Sequence, residues 1–349
     1  MPITGGDIVD LGQGLYVWLP PHRGWGLANC GLLATPEGAL WIDTPYDRAL
    51  AGQFLAASQQ RLPEGVSVDR VIVTHANGDH FWGAGVVPDA EIIVTRGARE
   101  HIHFEPTPQQ QHALIASGDP DTPLGAYLSR HFGPFDWSET EPVVPTTYFT
   151  GELELTLDGH PVRIAALPPA HTTGDLIVHL PDHGTVFTGD VIFGSTPERP
   201  GDHPCHWAGP LSQVIEACEA VLATGAETVV PGHGPLLGPS GVRDHIDYLG
   251  HVRERAHTFH AAGIPVPEAA LRIVAENRHP DLGLPERLAV TVGTEYRHLN
   301  GAAQTGVFEV MSEVAALARD IEQGLVPDFA PVRPHRSVGE SAPVRAAGP

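Results

Sequence analysis

The sequence predicts an α/β fold in which helices pack on the outside of β-sheets. Three observations predict it. Apolar, β-branched strands alternate with helical segments through roughly the first 240 residues, several of those strands stop abruptly in polar turns, and a nearly all-helical stretch follows Gly241.

The elements follow in order along the chain. GLYVWLP (14–20) reads as a strand, and CGLLATPEGALWID (30–43) as two strands around a Pro-Glu-Gly turn. Leu50, Phe54 and Leu55 recur at helical spacing within YDRALAGQFLAASQQR (46–61), which predicts an amphipathic helix. VDRVIVTH (68–75) and AEIIVT (90–95) are further strands. From Arg96 to about Thr147 the composition turns Gln-, His- and Pro-rich, and this segment reads as an insertion that caps a site. Strands resume with TYFTGELELTLDG (147–159), VRIAALP (162–168), DLIVHLP (175–181) and HGTVFTGDVIF (183–193). A helix over 211–224 and the strand AETVVPGH (226–233) complete residues 1–240, read as one catalytic domain. Residues 241–323 read as a helical C-terminal region whose Ala269, Leu271, Ile273 and Val274 pack on the sheets' helical coat or on a second subunit. The Pro- and Arg-rich tail, 324–349, reads as disordered.

Composition removes several function classes. The formal charge is -22, from 42 acidic and 20 basic residues, a field that repels phosphate backbones and anionic lipid. Nucleic acid and membrane are therefore not expected partners, and no apolar run reaches the roughly 18 residues a membrane span needs. Every basic residue is arginine. Without lysine there is no Walker lysine for a nucleotide and no Schiff base for pyridoxal phosphate. Cys30, Cys205 and Cys218 are an odd set without a CxxC pair, and the N-terminus lacks the basic and apolar regions of a signal peptide. Both point to a cytoplasmic protein. The 21 histidines turn attention to metal chemistry.

The segment THANGDHFWG (74–83) places His75, Asp79 and His80 just past the end of an apolar strand, around a Gly78 turn. Alone, such a cluster reads equally as polar surface. Three later segments repeat it: His171 after VRIAALPPA, Asp190 after TVFTG and His233 after ETVVPG. Each stands at a strand end, where a turn can present it to a common edge. Imidazole and carboxylate are good ligands for zinc or iron, and four such strand ends together point to a metal site.

The order THxxxDH, AHTTGD, FTGD, PGHGP resembles the metallo-β-lactamase superfamily over roughly residues 14–250. The resemblance implies an αββα sandwich with a dinuclear metal cleft along one edge. His75 and His171 would serve one metal, Asp79, His80 and His233 the other, and Asp190 would bridge them. Where the family has HxHxDH this chain has Asn77 in place of the middle histidine, and an amide oxygen is the weaker donor. One or two zinc ions are expected, with iron the alternative. Asp43, ending ALWID, matches an acidic position near the family's site and is expected to orient His75 or His80, unless it merely turns the chain before Pro45. Asp175 is expected to be structural.

Trp82, Phe193, His203, His206 and Trp207 are expected to line the cleft, with Cys205 at its mouth. His245, His251, His257 and His260 are expected on the solvated face of a helix. The expected reaction is attack of metal-bound hydroxide on the carbonyl of a small ester, lactone, thioester or amide. Asp79 would move the proton. With lysine absent, the oxyanion donor would be the second metal, a backbone N–H or the Asn77 amide NH2, which would point into the same space if it binds no metal. The alternatives are an iron-dependent oxygenase and a non-catalytic metal-binding protein on the same fold. A secreted β-lactamase, a nuclease and a flavodiiron reductase are disfavoured by the missing export signal, the negative charge and the absence of a flavin domain.

Overall fold

The computed structural model describes residues 3–325. The tail from Val326, where disorder was expected, lies outside the described residues. In chain order the elements are β1 (Asp7–Gly12), β2 (Leu15–Leu19), β3 (Cys30–Thr35), β4 (Gly38–Ile42), α1 (Arg48–Gln59), β5 (Val68–Ile72), α2 (Gly78–Phe81), β6 (Glu91–Thr95), α3 (Arg96–His101), α4 (Pro108–Ser117) and α5 (Pro123–His131). They continue with β7 (Thr147–Phe149), β8 (Glu152–Leu157), β9 (His160–Ala166), β10 (Leu176–Leu180), β11 (Thr185–Phe187), α6 (Leu211–Ala223), β12 (Thr228–Val230), α7 (Pro239–Ala261), α8 (Val266–Ala275), α9 (Leu288–Asn300) and α10 (Val307–Glu322).

Strands β1 to β7 form one sheet in chain order, antiparallel as far as β4 and parallel from β4 onward. The second sheet runs β12-β11-β10-β9-β8, with only β11 and β12 parallel. Strand alternation decides which residues meet between the sheets. Leu15, Val17, Leu33, Leu40, Ile42 and Ile72 face Val162, Ile164, Leu176, Val178, Phe187 and Val230 in a single apolar layer. The intervening Trp18, Leu32 and Trp41 point the other way, into a second apolar cluster that includes Leu50 and Phe54 of α1. Trp41 stacks on Phe54 with centroids 4.4 Å apart, and Asp47 caps α1 by accepting from Leu50 N at 2.7 Å. The αββα sandwich that the motifs implied is therefore the architecture of the chain.

TYFTGELELTLDG was read as one strand segment, but it serves both sheets. It breaks at Gly151, whose φ is +75°, with β7 in the first sheet and β8 in the second. β1 had no sequence expectation at all. In the C-terminal helices, Ala269, Leu271 and Ile273 are buried in the same cluster as Trp41 and Phe54, and Val274 is half-buried against it. These residues pack within the chain.

Two parallel pairs aim the site. β4 and β5 end side by side, as do β11 and β12 in the other sheet, so their C-terminal turns emerge at one edge of the sandwich. Thr74, just past β5, ties the sheets together there, its carbonyl accepting from Leu176 N at 2.9 Å.

Candidate metal centre

The turns after β5, β9, β11 and β12 bring six side chains together, and all are buried or nearly so. The ligand atoms of His75, His171 and Asp190 lie within 4.8 Å of one another, and those of Asp79, His80 and His233 form a second such group. Asp190 stands between the groups. Its Oδ1 is 3.1 Å from His80 Nε2, and its Oδ2 is 3.2 Å from His233 Nε2 and 3.6 Å from His171 Nε2. Asp79 Oδ2 lies 3.3 Å from His233 Nε2.

Glycines make this closeness possible. Gly189, before Asp190, has φ +50°, and a Cβ there would sit 2.4 Å from Thr74 Oγ1. At Gly232, before His233, a Cβ would sit 1.9 Å from Asp190 Oδ1.

Hydrogen bonding on the far side of each ring fixes the tautomers. The Thr74 hydroxyl donates to Asp43 Oδ2 at 2.7 Å, so at 3.1 Å from His75 it accepts the Nδ1 proton. His80 Nδ1 donates to Asp43 Oδ2 at 2.8 Å, His171 Nδ1 to the Cys205 carbonyl at 2.7 Å, and His233 Nδ1 to the Leu27 carbonyl at 2.9 Å. All four Nε2 atoms then face inward among carboxylate oxygens. Against burial, Asp190 and the neighbouring carboxylates hold His80 well above the ordinary imidazole range and His233 up to about 9, so these two rings would shed a proton to a bound cation. His75 Nε2, His80 Nε2 and Asp190 Oδ1 are buried without a hydrogen-bond partner. Imidazole nitrogens and carboxylate oxygens crowded together in this way fit divalent cations, and the N/O donor set suits a first-row metal. Burial works to raise the Asp190 carboxyl, but His233, His80 and His171 outweigh it and hold it well below the ordinary carboxylate range. Burial, reinforced by the neighbouring imidazoles, pushes His75 well down.

Asp43 is the hub behind two of these rings. It sits at φ +60°, accepts from Thr74 N at 2.7 Å and also takes the Thr74 hydroxyl and His80 protons. Asp175 is occupied by Thr172 and Ala170 and reaches no ligand.

Asn77 departs from the sequence expectation. Its Nδ2 donates to Glu105 Oε1, and its Oδ1 lies 3.0 Å from His171 Nε2. The NH2 is therefore committed away from the cleft, and the carbonyl oxygen faces the first ligand group. Glu105, just after α3, carried no sequence signal. Its other oxygen accepts from Gly78 N at 2.9 Å, and burial together with Asp79 lifts its carboxyl to about 7.

The cleft opens into a cavity whose lining includes Asn77, Asp79, Glu105, His171, Asp190 and His233 at one end. Trp25 and Tyr46, Leu124 and Leu128 of α5, Phe132 just after it, and Val307, Phe308 and Met311 of α10 line the rest, which is mostly apolar. Phe193, Cys205 and Trp207 are in this lining; three other expected residues are not. Trp82 is buried in the one-turn helix 82–86 against Phe81, because the turn carrying the ligands leaves it on the core side. His203 turns toward the C-terminal helices and bonds the Tyr248 hydroxyl at 2.8 Å. His206 is fully buried behind His171, 5.9 Å ring to ring, with both ring nitrogens unpartnered. His245 and His251 correct a further expectation: His245 is buried and the His251 side chain is only 9% exposed beside Glu276, while His257 and His260 reach Glu295 and Asn300 from the surface.

The loop 201–210 is held by α9. Thr291 Oγ1 accepts from His206 N, Glu295 accepts from Leu211 N at 2.7 Å, and Arg297 donates to the Ala208 carbonyl at 2.6 Å. The carbonyl that orients His171 thus depends on a helix far away in sequence. No helix among the described residues is long and apolar enough to cross a membrane.

Comparison with known proteins agrees with this fold. In sequence, the chain is similar to metallo-beta-lactamase domain-containing protein 1 of Homo sapiens, 27% identical over 228 residues, which are 61% of this chain and 64% of that protein. The chain thus spans somewhat less than two thirds of that relative. In structure, it is similar to a metallo-beta-lactamase from Pontibacter korlensis, with TM-score 0.50 and 15% identity over 70% of this chain and 99% of that one. It is also similar to the stereoselective inverting sec-alkylsulfatase Pisa1 from Pseudomonas sp., with TM-score 0.58 and 16% identity over 84% of this chain and 50% of that one. At such identities these structures speak for the fold alone. A family model described as the metallo-beta-lactamase superfamily matches residues 23–233, more than half of the sequence, and the chain belongs to that superfamily, which includes metal-dependent hydrolases.

Proposed function

We propose that the protein is a zinc-dependent hydrolase that cleaves the ester, thioester, lactone or amide bond of a small molecule with an apolar body. The observation that supports this best is the common orientation of His75, His80, His171 and His233, each tied through Nδ1 on its outer side with Nε2 turned inward around the Asp190 carboxylate. His75, His171 and Asp190, with Asn77 Oδ1 beside them, would hold one ion, and Asp79, His80 and His233 the other.

A bound dication supplies a Lewis acid that polarises a carbonyl and lowers the pKa of water to about 7. The chain's own residues do the rest. Asp79 is the more exposed of the two central carboxylates, with 15% side-chain exposure against 5% for Asp190, so it can reach a substrate in the cleft. Its Oδ atoms take the proton from the attacking water and return it to the leaving group. Phe193, Trp207 and Trp25 exclude bulk water around the scissile bond. The apolar span from Leu124 to Met311 accommodates the rest of the substrate.

The test is turnover of a panel of esters, thioesters, lactones and amides, run without oxygen. Hydrolysis should persist anaerobically, stop with a chelator and return with zinc, and Asp79→Asn should lower kcat by roughly 10²- to 10⁴-fold. Turnover that requires oxygen and iron would replace this reaction with an oxygenase.

A further inference from the structure

Arg287 is a buried cation that forms no ion pair among the described residues. It closes the one-turn helix 285–287 before α9, is 2% exposed, and lines the same cavity as Asp79 and His233. Among the described residues its guanidinium makes no ion pair within 4.0 Å and no hydrogen bond, and its buried Nε has no partner. Its guanidinium lies over an aromatic ring, that of Trp25, whose centroid is 4.0 Å from Cζ.

The obvious partner is engaged elsewhere. Glu286 accepts the Tyr127 hydroxyl at 2.9 Å, and that hydroxyl in turn accepts from Trp25 Nε1 at 2.6 Å. The arrangement is also rigid. Leu284 sits at φ +50°, and Gly283 is pinned on both sides, donating to the Gly201 carbonyl at 3.0 Å and accepting from His203 N at 2.8 Å. A guanidinium held so firmly in a buried place is costly unless an anion meets it. A guanidinium over an aromatic face still offers its in-plane donors, a fork that matches a planar oxyanion.

Among the described residues Arg287 is the only arginine or lysine in the cavity lining, on a chain whose overall field of -22 repels anions. The rest of the lining away from the metal centre is largely apolar. We propose that Arg287 binds an oxyanion on the substrate, whose apolar body lies along Leu128, Phe132, Phe308 and Met311. The substrate class is then an amphiphilic organic anion with its scissile bond held at the metal centre. This rests on the hydrolase reading for the scissile bond only; the anion site itself does not.

Binding separates the two. Octanoate, octyl sulfate, octyl phosphate and neutral octanol are titrated into the full-length, metal-loaded protein and into Arg287→Met and Arg287→Lys, followed by calorimetry and tryptophan fluorescence. At least one anion should bind wild type more tightly than octanol. That anion should bind Arg287→Met roughly 10- to 100-fold more weakly, with partial recovery in Arg287→Lys, and the anion that loses most identifies the headgroup. Metal content of Arg287→Met should equal that of wild type. Equal binding of anions and octanol by wild type would overturn the proposal, as would undiminished anion binding by folded Arg287→Met. The wild-type comparison stands even where the variant does not fold. Failure of the hydrolase reading would show in turnover, not here.

Discussion

Asn77 Oδ1 lies 3.0 Å from His171 Nε2, at the position where the superfamily motif has a histidine. Glu105 decides that orientation. Its two oxygens accept from Asn77 Nδ2 and Gly78 N, so the amide cannot turn its NH2 toward the ligands without losing a buried bond. The first ligand group therefore keeps an oxygen donor where it lacks an imidazole. Glu105→Ala should free the amide and weaken the metal held by His75 and His171 by roughly 10- to 100-fold, leaving the ion at His80 and His233 in place. Competition with a graded chelator measures the two affinities. Asn77→His, with imidazole restored, should tighten the first site.

Asp43 joins His75, through Thr74, to His80. Asp43→Asn should lower affinity at both sites, also by roughly 10- to 100-fold, because two rings lose their orientation together. Loss confined to one site would contradict the shared hub.

Gly232→Ala would place a methyl 1.9 Å from Asp190 Oδ1. The Asp190 carboxylate must move, so if it bridges two ions as proposed, both should be lost more readily than in Asp43→Asn while far-UV circular dichroism stays near wild type. Dialysis followed by metal analysis checks it.

Burial, with the charges of His279 and Arg287, pushes His203 down to about 3, and burial pushes His245 down to about 4. Their unfolded values lie near 6.5, so between these limits the unfolded chain binds more protons. Their neutral burial therefore costs nothing above about 6.5, and stability falls as the pH drops below it, by about 1.4 kcal/mol per pH unit for each. Asp175, lifted to about 7 by burial, acts in the opposite sense. The contrast between variants is thus the informative quantity. His203→Asn should flatten the loss of stability between about pH 6 and pH 4 in urea titrations, and an unchanged slope would assign the effect elsewhere.

What was legible in the sequence was local. His75, Asp79, His80, His171, Asp190 and His233 each follow an apolar strand within a few residues, so strand ends and turns mark them directly. Asp43 was legible for the same reason. Glu105 and Arg287 were not, because each acquires its meaning from a partner distant in the chain: Asn77 for one, Trp25 for the other. His203 and His206 belong to a loop whose facing is set by α9, and nothing in GDHPCHWAGP records that helix. β7 and β8 form one continuous pattern in sequence, and only pairing with β6 and β9 separates them. His245 had a usable signal. Val242, His245, Leu249, Val252, Ala256 and Phe259 recur at three- and four-residue spacing, the buried stripe of α7, while His251, His257 and His260 fall off it.

Together with Asn77, these six side chains form the metal site we propose. Metal content per chain by plasma mass spectrometry, on protein purified without chelator or added metal, tests it most directly. Wild type should carry about two zinc ions per chain, one for each ligand group. His80→Ala should lose the ion it shares with Asp79 and His233. Wild-type protein that is folded yet binds no metal, even after incubation with zinc, would contradict the account.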